Sequence, residues 1–253
     1  MEQTFTITFG DQAENHKGMQ KIGNLASEGF NLDDLKNAMS WFEKNGAKCK
    51  LILLNDLIKD IKAEEAYILI IQNGLDFILK NKASSDEFYK EQQLLEKDKK
   101  AFMYGRVVNK HARHNLCFSD FDQEPHYENA KGRIINFNKL ELLNHVRNKL
   151  PEILGNKAEN LMAEGNYYFN DKCGIGWHGD SERKKVIGIR VGKSMPLLFN
   201  WFYKNNKIGL SYETILNHGD IYVMSEKTTG YDWKRSNLYT LRHSAGSQKY
   251  TKL

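Results

Sequence analysis

Apolar and polar positions alternate with two different periods along this chain. Thr4–Phe9 (TFTITF) alternates threonine with β-forming apolar residues and predicts a strand. Residues 10–24 are polar and Gly-rich and predict a solvated loop that opens a helix; Asp11, Glu14 and His16 are metal-binding residue types there, at a spacing that fits no metal motif. Leu35, Met39, Trp41 and Phe42 then fall at near-helical spacing behind Asn31 and Asp33, either of which would cap the helix. Leu51–Leu54 is a short apolar run. Ala66–Ile71 reads as a strand ending at Asn73-Gly74, before Leu75–Leu79. This alternation of short strands and helices predicts a small α/β unit over roughly 1–82.

Residues 81–100 change character. Ser84-Ser85-Asp86 precedes a charged helical pattern, which predicts a capped surface helix joining two lobes. Ala101–Asp120 mixes strand formers with Arg106, Lys110, His111, Arg113 and His114 and predicts a hairpin, with Cys117 and Phe118 packed inward. Leu140–Leu154 is amphipathic, carrying Leu143, Val146, Leu150 and Ile153 or Leu154 on one face, and Pro151 predicts a kink or a restart. Beyond residue 165, strands are predicted at 186–191, 197–203, 208–212, 221–224 and 237–243, with turns at 204–207 and 217–220 and a polar loop at 225–236. Many short strands separated by turns predict an all-β sandwich or barrel.

Composition narrows the setting. The chain has 253 residues, enough for one large domain or two small ones, and a net charge of +5 that permits a polyanionic partner without requiring one. Three widely spaced cysteines form no zinc-ribbon pattern, so reduced thiols and a cytoplasmic or nuclear location are expected. No run of 18 apolar residues occurs, and no membrane partner is expected. Composition leaves the oligomeric state open.

The chemistry concentrates in Asn166–Arg190. His178 and Asp180 stand two apart behind the Gly-rich bend at Gly174 and Gly176. On a strand, residues i and i+2 share a face, so an imidazole and a carboxylate would converge. They make two thirds of the 2-His-1-carboxylate set that holds non-haem Fe(II) with positions left open. Taken alone, the triplet is better read as a turn Asp beside a packed His, and its context decides between the two.

Other motifs fall in a definite order around it. Tyr168 of Asn166-Tyr167-Tyr168 stands ten residues before His178. Ile189-Arg190-Val191-Gly192 ends a strand, and His218-Gly219-Asp220 leads into Ile221–Met224. An amphipathic helix and a basic hairpin come before. In this order, residues 100–253 resemble the AlkB-like branch of the Fe(II)/2-oxoglutarate dioxygenases. The resemblance implies an α+β protein: a double-stranded β-helix (jelly-roll) oxygenase core at 98–253, behind a small α/β lobe at 1–97 that has no counterpart in the family. It implies Fe(II) on His178, Asp180 and a distal ligand, 2-oxoglutarate against Asn166 and Tyr168, and O₂ as the second co-substrate. It makes the 218–220 repeat a turn. Two registers fit the distal end. In one, Asp232 is the ligand and Arg242 meets the 2-oxoglutarate carboxylate. In the other, His243 is the ligand and Lys252 or Lys249 meets that carboxylate; neutral imidazole suits Fe(II), which favours His243. The implied substrate is a base in DNA or RNA, contacted through Arg106, Lys110, Arg113, His114 and Arg183. The alternatives are hydroxylation of a protein side chain or small molecule, and a non-catalytic oxygenase-fold binder.

Overall fold

In the computed structural model, which describes residues 3–252, Thr4–Gly10 forms strand β1 with both faces covered. β2 (Gln12–Glu14) and β3 (Lys21–Gly23) form a small hairpin where a loop is predicted. Next come α1 (Leu32–Lys44), β4 (Cys49–Leu53), β5 (Tyr67–Ile71), α2 (Gly74–Leu79) and α3 (Ser85–Gln93). The basic segment gives the hairpin β6 (Lys100–Met103) and β7 (Arg106–Asn109), then β8 (His114–Ser119) and β9 (Ile134–Asn136). Helix α4 (Glu141–Leu154) runs on through Pro151 and ends at Gly155, where φ is +73°. Strands β10 (Met162–Tyr168), β11 (Gly174–His178), β12 (Val186–Gly192), β13 (Met195–Tyr203), β14 (Asn206–Leu216) and β15 (Ile221–Met224) follow. The polar stretch after them contains α5 (Glu226–Thr229). The last strand, β16 (Thr240–Gly246), starts three residues later than predicted, and α6 (Gln248–Thr251) closes the described chain.

Local chemistry accounts for the helix starts. Asn31 Oδ1 accepts from Asp34 N–H at 3.0 Å, and the Asp34 carboxylate accepts from Asn31 N–H at 2.8 Å, so the reciprocal cap pairs Asn31 with Asp34 rather than involving Asp33. Ser84 and Glu87 repeat the device at α3, which is anchored by buried Phe88 and Tyr89 rather than lying free on the surface.

The result is a mixed α+β architecture. An eight-stranded sheet runs β4-β5-β15-β12-β1-β10-β8-β9, and a four-stranded antiparallel sheet runs β11-β16-β13-β14. Neither closes into a barrel. β1, β4 and β5 from residues 1–97 lie in the same large sheet as β8, β10, β12 and β15, so a single sheet crosses residue 97. Two large apolar cores flank the large sheet, beside a small cluster of Ala13, Ile22, Cys117 and Ile134. Phe5, Ile7, Phe9, Ile187, Ile189, Val191, Ile221 and Val223 face the helices and join Leu35, Phe42, Leu143 and Val146. The opposite, even-numbered face of the same strands looks toward the small sheet, where Val186, Tyr168, Tyr222 and Met224 meet Leu197, Phe199, Trp201 and Leu241. Among the described residues, no helix is long and apolar enough to cross a membrane.

Candidate metal centre

β11 and β16 are hydrogen-bonded neighbours, and their register sets His178 opposite His243, with ring centroids 4.4 Å apart. Asp180 follows β11 in a tight bend. Its N–H donates to Thr229 O at 2.9 Å, and Gly179 between the two is obligatory, because a Cβ there would strike the Gly230 carbonyl. Asp180 Oδ1 then lies 3.6 Å from both His178 Nε2 and His243 Nε2. Among the described residues, these three are the group of ligand-type side chains whose donor atoms all fall within 4.8 Å of one another.

The protonation of His178 and Asp180 suits a cation. His178 Nδ1 lies 2.7 Å from Gly176 O; donating there leaves Nε2 with its lone pair facing Asp180. Burial, then the neighbouring His243, pushes the His178 pKa down to about 3, so the ring is neutral near pH 7. Burial alone would raise the Asp180 carboxyl, but Arg183 and then His243 outweigh it and hold the carboxyl well below its usual range. Arg183 is 4% exposed and holds Glu164 at 2.6 Å, Glu182 at 2.8 Å and Asp180 at 3.9 Å.

The three side chains open onto a cavity of about 150 Å³ between the two sheets. Asn166 and Tyr168 line it, as expected, but the Asn166 amide is already engaged. Its Oδ1 accepts from Arg113 Nε at 2.5 Å and Asn115 Nδ2 at 2.8 Å, and its Nδ2 donates to Glu164 at 3.0 Å. Thr6, Thr8, Arg190 and Tyr222 also line the cavity. Sequence reasoning missed all four. One signal was available: Arg190 interrupts an otherwise apolar strand, VIGIRV, and a charge in a strand buried on both faces must find a polar destination.

Several expected site residues lie elsewhere. Arg242 adjoins His243 on β16 and therefore points to the other face, where its guanidinium sits over Phe202 and Trp233 and donates to Asn205 at 2.8 Å. Lys249 and Lys252 are exposed, in and just beyond α6, because the chain turns into a helix after β16 instead of continuing as a strand. None of the three lines the cavity. Asp232 is buried against Lys227 at 2.6 Å and is absent from the metal-type cluster.

The nucleic-acid candidates are mostly committed to the interior. Lys110 Nζ donates to Asn15 at 2.6 Å and Asn115 at 3.0 Å, and burial lowers its pKa to about 8. Arg113 serves Asn166. His114 stacks on Phe169 with centroids 4.4 Å apart; burial, then Lys99, Lys110 and Lys97, lowers its pKa to about 4. Arg183 is occupied by its three carboxylates. Of the five, Arg106 alone is exposed, on the β6–β7 hairpin. Asp11 clamps backbone instead of metal, accepting from Ala26, Lys184 and Lys185 N–H. Glu14 and His16 line the cavity without joining the three ligands. The 218–220 repeat is a turn: Gly219 has φ +85°, Asp220 accepts from Asn73 and Asn217 N–H, and His218 Nδ1 accepts from Gly192 N–H.

Fold and site together define an α+β protein with a buried His–Asp–His group open to an inter-sheet cavity. No protein-family model matches the chain. It is 46% identical over 256 residues to uncharacterized protein R156 of Acanthamoeba polyphaga mimivirus, an alignment that spans all of this chain and 99% of the viral protein. The chain belongs to the family of that protein.

Proposed function

We propose that this protein is an AlkB-like Fe(II)/2-oxoglutarate-dependent dioxygenase that oxidises a C–H bond of a substrate admitted at the cavity mouth. The observation that carries the reading is the convergence of His178, Asp180 and His243: two imidazoles and one carboxylate on one side, with a cavity on the other.

The strand order supports a jelly-roll core. From β10 to β16 the chain passes large sheet, small, large, small, small, large, small. A two-sheet, eight-stranded roll needs one more strand in the large sheet, between β10 and β12. That slot is filled from the start of the chain by β1, antiparallel to both neighbours.

When bound, the metal and 2-oxoglutarate supply the oxidation: O₂ and 2-oxoglutarate are consumed, one oxygen atom converts C–H to C–OH, the other enters succinate, and CO₂ leaves. The chain's own residues do the rest. His178, Asp180 and His243 hold the metal. Arg183 keeps Asp180 ionised. Tyr222, Met224 and Leu197 wall the cavity against water.

At the mouth, His16 and Trp233 offer flat surfaces, and Lys17 Nζ lies 5.8 Å from the Trp233 ring centre. The β6–β7 hairpin and the residue before it expose Lys99, Lys100 and Arg106, with Tyr104 90% exposed at the tip. Aromatic faces beside cations suit a nucleic-acid base and its phosphates. A specific observation favours a second reading, a protein side chain or small molecule: Lys110, His114 and Arg183 are engaged by Asn15 and Asn115, by Phe169 and by three carboxylates, and Arg113 by Asn166 in the cavity wall, rather than standing free on the surface. The test is anaerobic Fe(II) binding, followed by conversion of 2-oxoglutarate to succinate in air with alkylated oligonucleotides, peptides or no substrate. A chain that binds no Fe(II), or binds it and yields no succinate under any of these conditions, sinks the reading. Nucleic-acid binding that is indifferent to salt would remove the first substrate class.

A further inference from the structure

Arg190 is a deeply buried cation of the cavity wall that no carboxylate answers among the described residues. It is 1% exposed, and neither Nε nor Nη1 has a partner. No carboxylate lies in ion-pair contact with its guanidinium among the described residues; the Asp220 carboxylate is taken by backbone N–H groups. A buried guanidinium without an anion is strongly disfavoured, so this geometry is that of a site built for an anionic ligand. Opposite it in register stands Thr6 of β1, whose Oγ1 is also buried without a partner. Tyr168 and Tyr222 complete the walls. Gly188, two residues before Arg190, lets the Tyr222 ring lie across the strand, since a Cβ at Gly188 would overlap that ring. The orphaned donors thus sit on the large sheet, across the cavity from the His–Asp–His group on the small sheet.

We propose that Arg190, with Thr6, is the seat for the far carboxylate of a 2-oxo dicarboxylate whose 2-oxo acid end lies at the metal. The assignment rests on the dioxygenase reading above. It moves the anchor from the C-terminal end of the chain to β12, and it makes the N-terminal strand part of the co-substrate site. Arg presents a planar array of N–H donors suited to a carboxylate, and two of its nitrogens here, Nε on one edge and Nη1 on the other, are buried without a partner.

The test compares two probes on the Mn(II)-loaded full chain by calorimetry: 2-oxoglutarate, and 2-oxobutyrate, which lacks the far carboxylate. The wild type is expected to prefer 2-oxoglutarate by about 30-fold or more, the loss typical when one partner of a buried charge pair is removed. Arg190→Met should abolish that preference while binding 2-oxobutyrate and Mn(II) as the wild type does. Arg190→Lys should keep part of the preference, and Thr6→Val should reduce it severalfold. An Arg190→Met protein that retains the preference overturns the assignment and leaves the dioxygenase reading intact. If Arg190→Met does not fold, an Arg190→Lys protein with the full preference overturns the guanidinium seat. A wild-type protein that binds Mn(II) but neither 2-oxo acid overturns the dioxygenase reading, and this inference with it.

Discussion

Replacing Asp232 and His243 separately distinguishes a structural carboxylate from a metal ligand. Both are buried, and the sequence admits either as the third ligand. In the fold, Asp232 lies 2.6 Å from Lys227, and both side chains are nearly inaccessible. Asp232→Asn leaves the Lys227 ammonium buried without its close anion, a change that typically costs about 3–5 kcal/mol. Glu64, 3.7 Å from Lys227 and largely exposed, takes up part of that charge, which places the expected loss near the lower end, about 3 kcal/mol. For a chain of this size that lowers the Tm by about 6–12 °C. Metal affinity should not change, because the group that converges on the cavity does not include Asp232. His243→Ala should behave in the opposite sense. Losing an outer-shell partner of a metal ligand already costs about 10–100-fold in affinity, so losing a donor should cost at least about 100-fold. The assays are Mn(II) or Co(II) titration by calorimetry and thermal unfolding of the metal-free proteins. If Asp232→Asn weakens the metal as much as His243→Ala, or if His243→Ala binds within tenfold of the wild type, the ligand assignment is wrong.

Other perturbations probe the surroundings. Arg183→Met strands Glu164, Glu182 and Asp180 together and should destabilise the metal-free protein by about 3–5 kcal/mol in urea unfolding; a protein of unchanged stability would mean that Arg183 is free for phosphate after all. Gly188→Ala should cost about 1–3 kcal/mol by displacing the Tyr222 ring, and unchanged unfolding would show that the ring can move aside freely. The folded pKa of His114, about 4, lies below the unfolded value of about 6.5, so the unfolded chain takes up a proton first and stability falls as pH drops from 6.5 through 4. Allowing for the partial exposure of the ring, His114→Phe should lose about 1–3 kcal/mol less than the wild type over that range, and parallel losses in urea midpoints would exclude His114 as the cause. A fragment of residues 98–253 lacks the central strand β1 and should be recovered aggregated; a monomeric, cooperatively unfolding fragment would show that the core stands without it.

What was legible in the sequence was local. Threonine alternation marks β1, Asn31 and Ser84 mark helix starts, and the i, i+2 spacing of His178 and Asp180 survives folding because Gly179 permits the bend. His243 was within reach because strand parity constrains which side chains share a face. Partners distant in the chain were not legible. Arg183 looks like one of three surface cations in Arg183-Lys184-Lys185, yet Glu164, nineteen residues earlier, draws it inside. Lys110 and His114 look like phosphate contacts until Asn15, Asn115 and Phe169 occupy them. Arg242 and Arg190 both sit in strands and differ only in facing, which depends on where each strand packs.

The place of β1 links these cases. A strand of alternating threonine and apolar residues gives no sign of which strands flank it, and composition shifts at 81–100 as though a unit had ended. Backbone pairing decides otherwise. Every N–H and C=O on the facing edges of β10 and β12 needs a partner, and β1 supplies them along its whole length. Its odd positions, Phe5, Ile7 and Phe9, then have to face the helices, and its even positions, Thr4, Thr6 and Thr8, have to face the small sheet. A slip of one residue would bury three threonine hydroxyls in the helix-side core and turn three apolar side chains toward the cavity between the sheets. The same register that forbids this slip sets Thr6 directly opposite both Asn166 and Arg190. The packing of the outer core and the chemistry of the cavity are therefore fixed by one pairing. That is why β1 belongs to the proposed site even though the sequence places it some 160 residues away from Asn166.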